Sequence, residues 1–480
     1  MKKTLLVVAL FAMSIMTMPM LQGAGYAAAA PAEEKEAPNQ ILITNVDVWD
    51  GTSDTVKKGT DVLIEGNLIK QVAKGIKAPD AHVIDGKNGT VTPGLIDMHQ
   101  HLMLNGGTTI MTHDRDAFVQ GAHASRAAEY LLRSGFTTVR DIAGNSTGIK
   151  KEVQAGRLPG PRIYTSGGAI GPTGGHQDWG GGNDPAGYSD YQERTYNQMT
   201  ANGEAEVMAA ARQNFRLGAD FIKMMSGGGV ASVFDPLEMI QYSPAEMKAI
   251  VEVANEYRSY VAIHGYHDDS YNQAMDAGVK SFEHGFLVTE EVVKRMAKEG
   301  VWWSWQPHGS YTTFAGGFPE WFSDDMKRKG AMVYEGSQIA PKLMKKHGVK
   351  MFLGSDMFGW DNWHNAIVNI TTPVTMPDTA FTSLDCMKLS TSLPGQALRE
   401  LTGPAMDPFK SAKLGVVEEG AWADVLIWKG DPTKDVKLIL EEDNLLFIMK
   451  DGISYKNLLV PASHESFRDG LKASGHSWSM

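Results

Sequence analysis

A single cysteine, Cys386, occurs in 480 residues. One thiol cannot close an internal disulfide, so the fold must be held by its core. Positive charge is also in short supply: 45 Lys and Arg stand against 56 Asp and Glu, a formal net charge of −11. An acidic surface disfavours nucleic acid or an anionic membrane as partner, although it does not by itself choose a small substrate. No fixed-period repeat is visible, which excludes a solenoid. The SGGG run at Ser226–Gly229 lacks a Walker-type lysine downstream, so it reads as a close-packed loop rather than a phosphate cradle.

Long apolar runs are confined to the start of the chain. Lys2 and Lys3, an apolar stretch from Thr4 to Leu21 and an Ala-rich end form the three parts of a secretory signal. Residues 1–30 are therefore expected to be removed, with cleavage within Ala27–Ala30. A retained anchor is the competing reading, because about 20 apolar residues can span a bilayer. The small-residue end favours removal, and the lack of a cysteine at the junction argues against a lipid anchor. The expectation is a secreted or periplasmic protein with no stable membrane anchor after cleavage, possible as a homo-oligomer. Cys386 alone fits that compartment.

After a polar linker (31–40), residues 41–91 show short β-branched runs split by Gly, Asn and Asp turns, the texture of a small β domain. From Leu95 the pattern changes to short apolar runs that end in polar residues, each followed by a longer helical segment. One of these, SPAEMKAIVEVANEY, opens with Ser243 as N-cap and Pro244 in the first turn. Candidate strands end near His99, Asp141, Ser166, Lys223, His264, His284, Trp305 and Asp356. Eight strand–helix units predict a (β/α)8 TIM barrel over 92–404. Turn-punctuated strands return over 405–460, before a tail at 461–480. With no core of their own, they are expected to complete the N-terminal part as a discontinuous β-sandwich.

The chemistry lies at the strand ends. In PGLIDMHQHL, the i, i+2 spacing of His99 and His101 on an extended chain turns both imidazoles to one face, as metal ligation requires. Lys223, His264, His284 and Asp356 fall where a barrel presents its reactive groups. Each alone has a bland explanation: a snorkelling lysine, satisfied core histidines, a helix N-cap. The order HxH, Lys, His, His, Asp on strands one, four, five, six and eight is not what independent bland causes produce. Together these side chains could hold two divalent cations. An ammonium has no lone pair, so Lys223 must be deprotonated or converted by CO₂ to a carbamate.

PGLIDMHQHL, TTVRDIAG, TGGH, GADFIKMMSGGG, SFEHG, LGSD and LGVVEEGAWADVLIWKGDP, in this order, resemble the amidohydrolase superfamily, in particular its imidazolonepropionase-like and metal-dependent Xaa-dipeptidase (prolidase-type) branch. The resemblance runs from about Ile41 to Lys456. It implies His99, His101 and Asp356 as ligands of the more buried metal, His264 and His284 of the second, and N6-carboxylated Lys223 as bridge, with zinc-like ions. It also implies that Tyr266 and His176 contact the scissile carbonyl or terminal carboxylate of the substrate. Asp356 would serve as general acid–base for a hydroxide shared by the two ions.

The function expected is hydrolysis of an amide bond in dipeptides or N-acyl amino acids, a small-molecule substrate class. Hydrolysis of cyclic amides, lactones or other esters is the alternative, and a non-catalytic periplasmic binding protein the remote one. The aromatic run VWWSWQPHGSYTTFAGGFPEWF reads as strand core and partly buried loop, or as an aromatic wall. His113, His123, His267, His308, His347 and His364 stay unassigned.

Overall fold

A computed structural model of the chain describes residues 40–104, 117–184, 191–318, 320, 322–357 and 364–460. The expected signal, all but the last residue of the linker, and the C-terminal tail lie outside the described residues. No described helix is long and apolar enough to cross a membrane.

The chain begins with β1 (Gln40–Val48), β2 (Asp61–Glu65), β3 (Leu68–Ala73) and β4 (His82–Pro93). In β1 the register against β4 slips between Thr44 and Val46, and Asn45 takes a positive φ of 56°. The bulge restores the pleat, so Ile43 and Val46 are both buried although three positions apart.

The barrel follows. Its wall comprises β5 (Leu95–Gln100), β6 (Phe136–Asp141) and β7 (Arg162–Thr165), then β8 (Ala169–Gly171), β9 (Gln198–Thr200), β10 (Ile222–Met225), β11 (Val261–Gly265), β12 (Ser281–His284), β13 (Trp302–Trp305) and β14 (Lys350–Leu353). The parallel arc β5-β6-β7 and the arc β14-β13-β12-β11-β10-β8-β9 close into a ring at two seams. Asp220 N–H donates to Thr165 O at 2.7 Å, and Asp356 N–H donates to His99 O at 2.7 Å, beside a parallel bridge from Gln100 to Met357. The eight expected strands are all present. β8 and β9 are additional, a short continuation of the third unit after a break at Ser166–Gly168.

Residues at the strand starts, among them Ile96, Phe221, Tyr260 and Trp302, pack into one apolar cluster. They plug the N-terminal end of the barrel and leave the C-terminal strand ends to polar groups. One outer helix starts at a full capping box: in Pro244–Glu256, Ser243 Oγ accepts from the Glu246 N–H and the Glu246 carboxylate reaches back to Ser243 N.

The chain then returns as β15 (Val425–Trp428), β16 (Leu445–Lys450) and β17 (Ile453–Asn457), which enter the first sheet in the order β17-β16-β15-β4-β1-β2-β3. β15 pairs antiparallel with β4, so strands from the two ends share one core of Ile43, Val62, Val91, Ile427 and Phe447. Arg162 ties this domain to the barrel through ion pairs with buried Asp424 and half-buried Asp451.

Candidate active site

His99 lies in β5 and His101 just beyond it, with ring centroids 5.1 Å apart. Asp356 meets them from the turn after β14: its Oδ1 is 2.9 Å from His101 Nε2 and 3.4 Å from His99 Nε2. Gly354 permits this approach, since a Cβ there would fall 2.3 Å from His99 Cβ. Asp356 and His284 both hold left-handed backbones, φ 55° and 70°. Such conformations cost about 1–3 kcal/mol each and persist where the surroundings demand them. At both positions the demanded result is a side chain turned into the cluster.

The second group adjoins the first. Asp356 Oδ2 is 3.9 Å from His284 Nδ1, and the His284 ring lies 4.4 Å from that of His264. Tyr266 stacks on His284 at 5.4 Å, and His176 stacks on His264 at 4.1 Å. Lys223 is buried, and its Nζ has no hydrogen-bond partner among the described residues. It is the second residue of β10 rather than the last, so the sequence reading placed it one turn of the pleat too far along. All six expected ligand positions, together with His176 and Tyr266, line one cavity of about 360 Å³.

Burial sets the electrostatics. It pushes the His99 imidazole down to about 4 against the opposing pull of Asp356 and Glu283, and lowers His264 and His284 well below their ordinary value. These histidines are therefore neutral near pH 7, the form that carries a free lone pair. Burial likewise lowers the Lys223 ammonium to about 8. Burial alone would raise the Asp356 carboxyl, but the His99, His101 and His284 rings hold it well below the usual range. The Tyr266 phenol is pushed up by burial and by the Asp356 and Asp235 charges, so it stays an O–H donor.

A layer behind these residues escaped sequence reasoning. His99 Nδ1 lies 2.8 Å from Glu283 Oε2, which directs its proton there and leaves Nε2 for the cluster. Glu283 is in turn bound by the Arg140 guanidinium at 2.7 Å, and both are wholly buried. Burial would raise the Glu283 carboxyl; Arg140 and His99 hold it well below its ordinary value. The available signal was a charged residue inside a short buried strand, twice: Arg140 in β6 and Glu283 in β12.

The rest of the cavity is largely apolar. Trp179, Phe286, Phe314 and Phe322 line it, and Trp302, Trp303 and Trp305 are strand core. The aromatic run thus supplies both core and wall, and its expected loop begins as a π-helix, His308–Thr312. Pro319 and Trp321 lie outside the described residues, as do most of the Asp356 loop (358–363) and His113. The described unassigned histidines line no part of the cavity. The chain also spells Gly-Asn-Ser-Thr-Gly at 144–148, the pattern of a serine nucleophile elbow. Ser146 there is fully buried, donates to Thr165 Oγ1 at 2.8 Å and is absent from the cavity wall.

The sequence profile of the amidohydrolase family matches residues 90–454. The chain belongs to the amidohydrolase family. Ochratoxinase from Aspergillus niger is 28% identical over 382 residues, 76% of this chain and 75% of the relative. Imidazolonepropionase from Idiomarina loihiensis is 24% identical over 433 residues, 84% of this chain and 93% of the relative. A solved Xaa-Pro dipeptidase with methionine in its active site is 28% identical, with TM-score 0.76, and the match covers 87% of this chain and 100% of that one.

As an amidohydrolase the chain is a hydrolase acting on C–N bonds, of a family that generally uses divalent metals. The residues present fit such ions. His99, His101 and Asp356 bring ligand atoms within 4.8 Å of one another, and Lys223 Nζ beside them is buried with no hydrogen-bond partner among the described residues. A buried ammonium is costly, and burial outweighs the pull of the Glu283 and Asp356 carboxylates on that of Lys223.

Proposed function

We propose that this amidohydrolase hydrolyses the amide bond of dipeptides or N-acyl amino acids with a pair of zinc-like cations, after export from the cytoplasm. The observation that carries the reading is the convergence of four imidazoles, Asp356 and a buried Lys223 without a hydrogen-bond partner among the described residues on one cavity. His99, His101 and Asp356 would hold one ion and His264 and His284 the other. Lys223 would bridge them as a carbamate: a pKa near 8 leaves part of the amine neutral at pH 7, and the neutral amine adds CO₂ with loss of one proton. When bound, such a pair supplies Lewis acidity toward water and a scissile carbonyl.

The chain's own groups do the rest. Asp356 reaches both histidine sets and can take the proton of the attacking water and deliver it to the leaving nitrogen, a general acid–base contribution of about 10²–10⁴ in rate. Amines leave poorly unless protonated, so Asp356→Asn is expected to abolish most turnover while leaving the fold intact. Tyr266 offers an O–H and His176 a ring nitrogen to the carbonyl or carboxylate oxygens of the substrate. The apolar wall of Trp179, Phe286, Phe314 and Phe322 favours a hydrophobic substituent.

A pooled dipeptide and N-acyl amino acid digest with Zn²⁺ and bicarbonate, read by mass spectrometry beside lactone and ester panels, tests the proposal. Plasma emission analysis should find up to two metals per chain. Turnover of lactones or esters alone would replace the amide reading. Tight ligand binding without turnover, or full activity in metal-free protein, would end it. N-terminal sequencing of the protein recovered outside the cytoplasm should start within Ala28–Pro31, and protein confined to the cytoplasm with Met1 intact would end the export reading.

A further inference from the structure

His176 enters the cavity after β8, but what holds it comes from elsewhere. Its N–H donates to Gln241 Oε1 at 3.1 Å, and its Nδ1 lies 2.8 Å from Ser232 Oγ and 3.6 Å from Asp235 Oδ2. The ring lies against Gly229, where a Cβ would come within 2.1 Å of it. With Nδ1 engaged and the ring stacked on His264, Nε2 is the nitrogen left for substrate. Gly229, Ser232 and Asp235 belong to one loop, and Asp235 Oδ2 also accepts from Gly229 N–H at 2.7 Å. Burial alone would raise the Asp235 carboxyl, and the bonds from His176, Ser232 and Gly229 more than offset it.

That loop is gathered by a residue from the other side of the pocket. Lys329 sits on the helix Asp324–Ser337, between β13 and β14, with no exposed surface. Its Nζ donates to the carbonyls of Gly229, Ser232 and Asp235 at 3.3, 3.1 and 2.7 Å and pairs with Asp325 at 3.1 Å. An ammonium has three donors, and three carbonyls of one loop converge on this one, much as they would on a bound cation. The same helix supports the apolar wall: Gly330 packs on Phe314 and Phe318, and Val333 lines the cavity.

We propose that Lys329 is a positioning residue for substrate recognition: by drawing the Gly229–Asp235 carbonyls together it fixes Ser232 and Asp235, which set the orientation of the His176 ring. The inference rests on the reading of His176 as a substrate contact. A lysine that merely stabilised the loop would affect folding alone, whereas a positioning lysine acts through His176.

A double-mutant cycle on the full-length, metal-loaded enzyme separates the two, with N-acetyl-L-phenylalanine and L-leucyl-L-phenylalanine as probes. Lys329→Met should raise KM about tenfold with kcat and metal content little changed, and should add nothing in a His176→Ala background. Equal effects in both backgrounds, or a fall in thermal midpoint with unchanged KM, overturn the proposal. If Lys329→Met does not fold, Asp235→Asn, which keeps the volume, should show the same KM change and the same non-additivity. If His176→Ala leaves both constants untouched, the reading of His176 falls first. If the wild type turns over neither probe, a crystal structure of Lys329→Met decides: a displaced His176 ring supports positioning, and an unmoved one refutes it.

Discussion

Replacing Arg140 by methionine perturbs the site without altering any group that faces the cavity. The guanidinium is wholly buried and bonds Glu283 Oε1 at 2.7 Å, Ser281 Oγ at 2.8 Å and Met98 O at 2.6 Å. It lies over the rings of Phe221 and Phe352, at 5.5 and 5.0 Å from their centroids. Methionine fills much of that space, so the loss is chiefly electrostatic: a buried Glu283 carboxylate is stranded. Breaking a buried pair from one side costs about 3–5 kcal/mol. Glu283→Gln keeps the shape and an acceptor for His99 Nδ1 but removes the charge. Glu283→Gln has by the same argument already stranded the Arg140 guanidinium, so Arg140→Met costs little or nothing further in that background. Denaturant unfolding of the four proteins, each stripped of metal by chelation, should therefore show a coupling of about 3–5 kcal/mol. Reloaded with Zn²⁺, Arg140→Met should bind metal about 10–100-fold more weakly, because Glu283, which fixes the His99 tautomer, has lost the guanidinium that holds it. If Arg140→Met costs the same stability with Glu283 intact as beside Glu283→Gln, and metal affinity stays at the wild-type level, the reasoning is refuted.

Lys223→Ala should lose metal and rate together, with partial rescue of both by short carboxylic acids; undiminished activity would remove the bridging role. The Cys386 thiol is fully buried and pushed up to about 12, so a thiol reagent at pH 8 should label the native protein negligibly and one site per chain in denaturant. Prompt native labelling would contradict that burial. Ser243→Ala removes the cap that accepts from Glu246 N–H and should cost about 1 kcal/mol, read as a lowered unfolding midpoint, with kcat and KM unchanged.

Much of the architecture was legible because it is written in short-range pattern. Apolar runs ending in polar residues marked the eight barrel strands, a Ser-Pro start marked one helix, and β-branched runs at both ends marked the shared sheet. The candidate ligands were legible for the same reason: a barrel presents side chains at its strand ends, so a histidine or aspartate after an apolar run already has an address. What escaped were partners that no local pattern announces. Arg140 and Glu283 are 143 positions apart, and Lys329 meets the Gly229–Asp235 loop from 94 to 100 positions away. The π-helix at His308–Thr312 and the broken third strand are local, but they answer to packing rather than to propensity.

The sequence by itself therefore determined which side chains are carried to the rim, because strand period and position along each strand–helix unit are local properties. Only the tertiary structure decided how they face one another. Closure of the ring brings His99 O onto Asp356 N, and the left-handed backbones at His284 and Asp356 turn both side chains inward. Burial then renders the His99, His264 and His284 imidazoles neutral and leaves Lys223 Nζ without a hydrogen-bond partner among the described residues. Desolvation and long-range contact belong to the folded chain as a whole, and no stretch of residues encodes them alone.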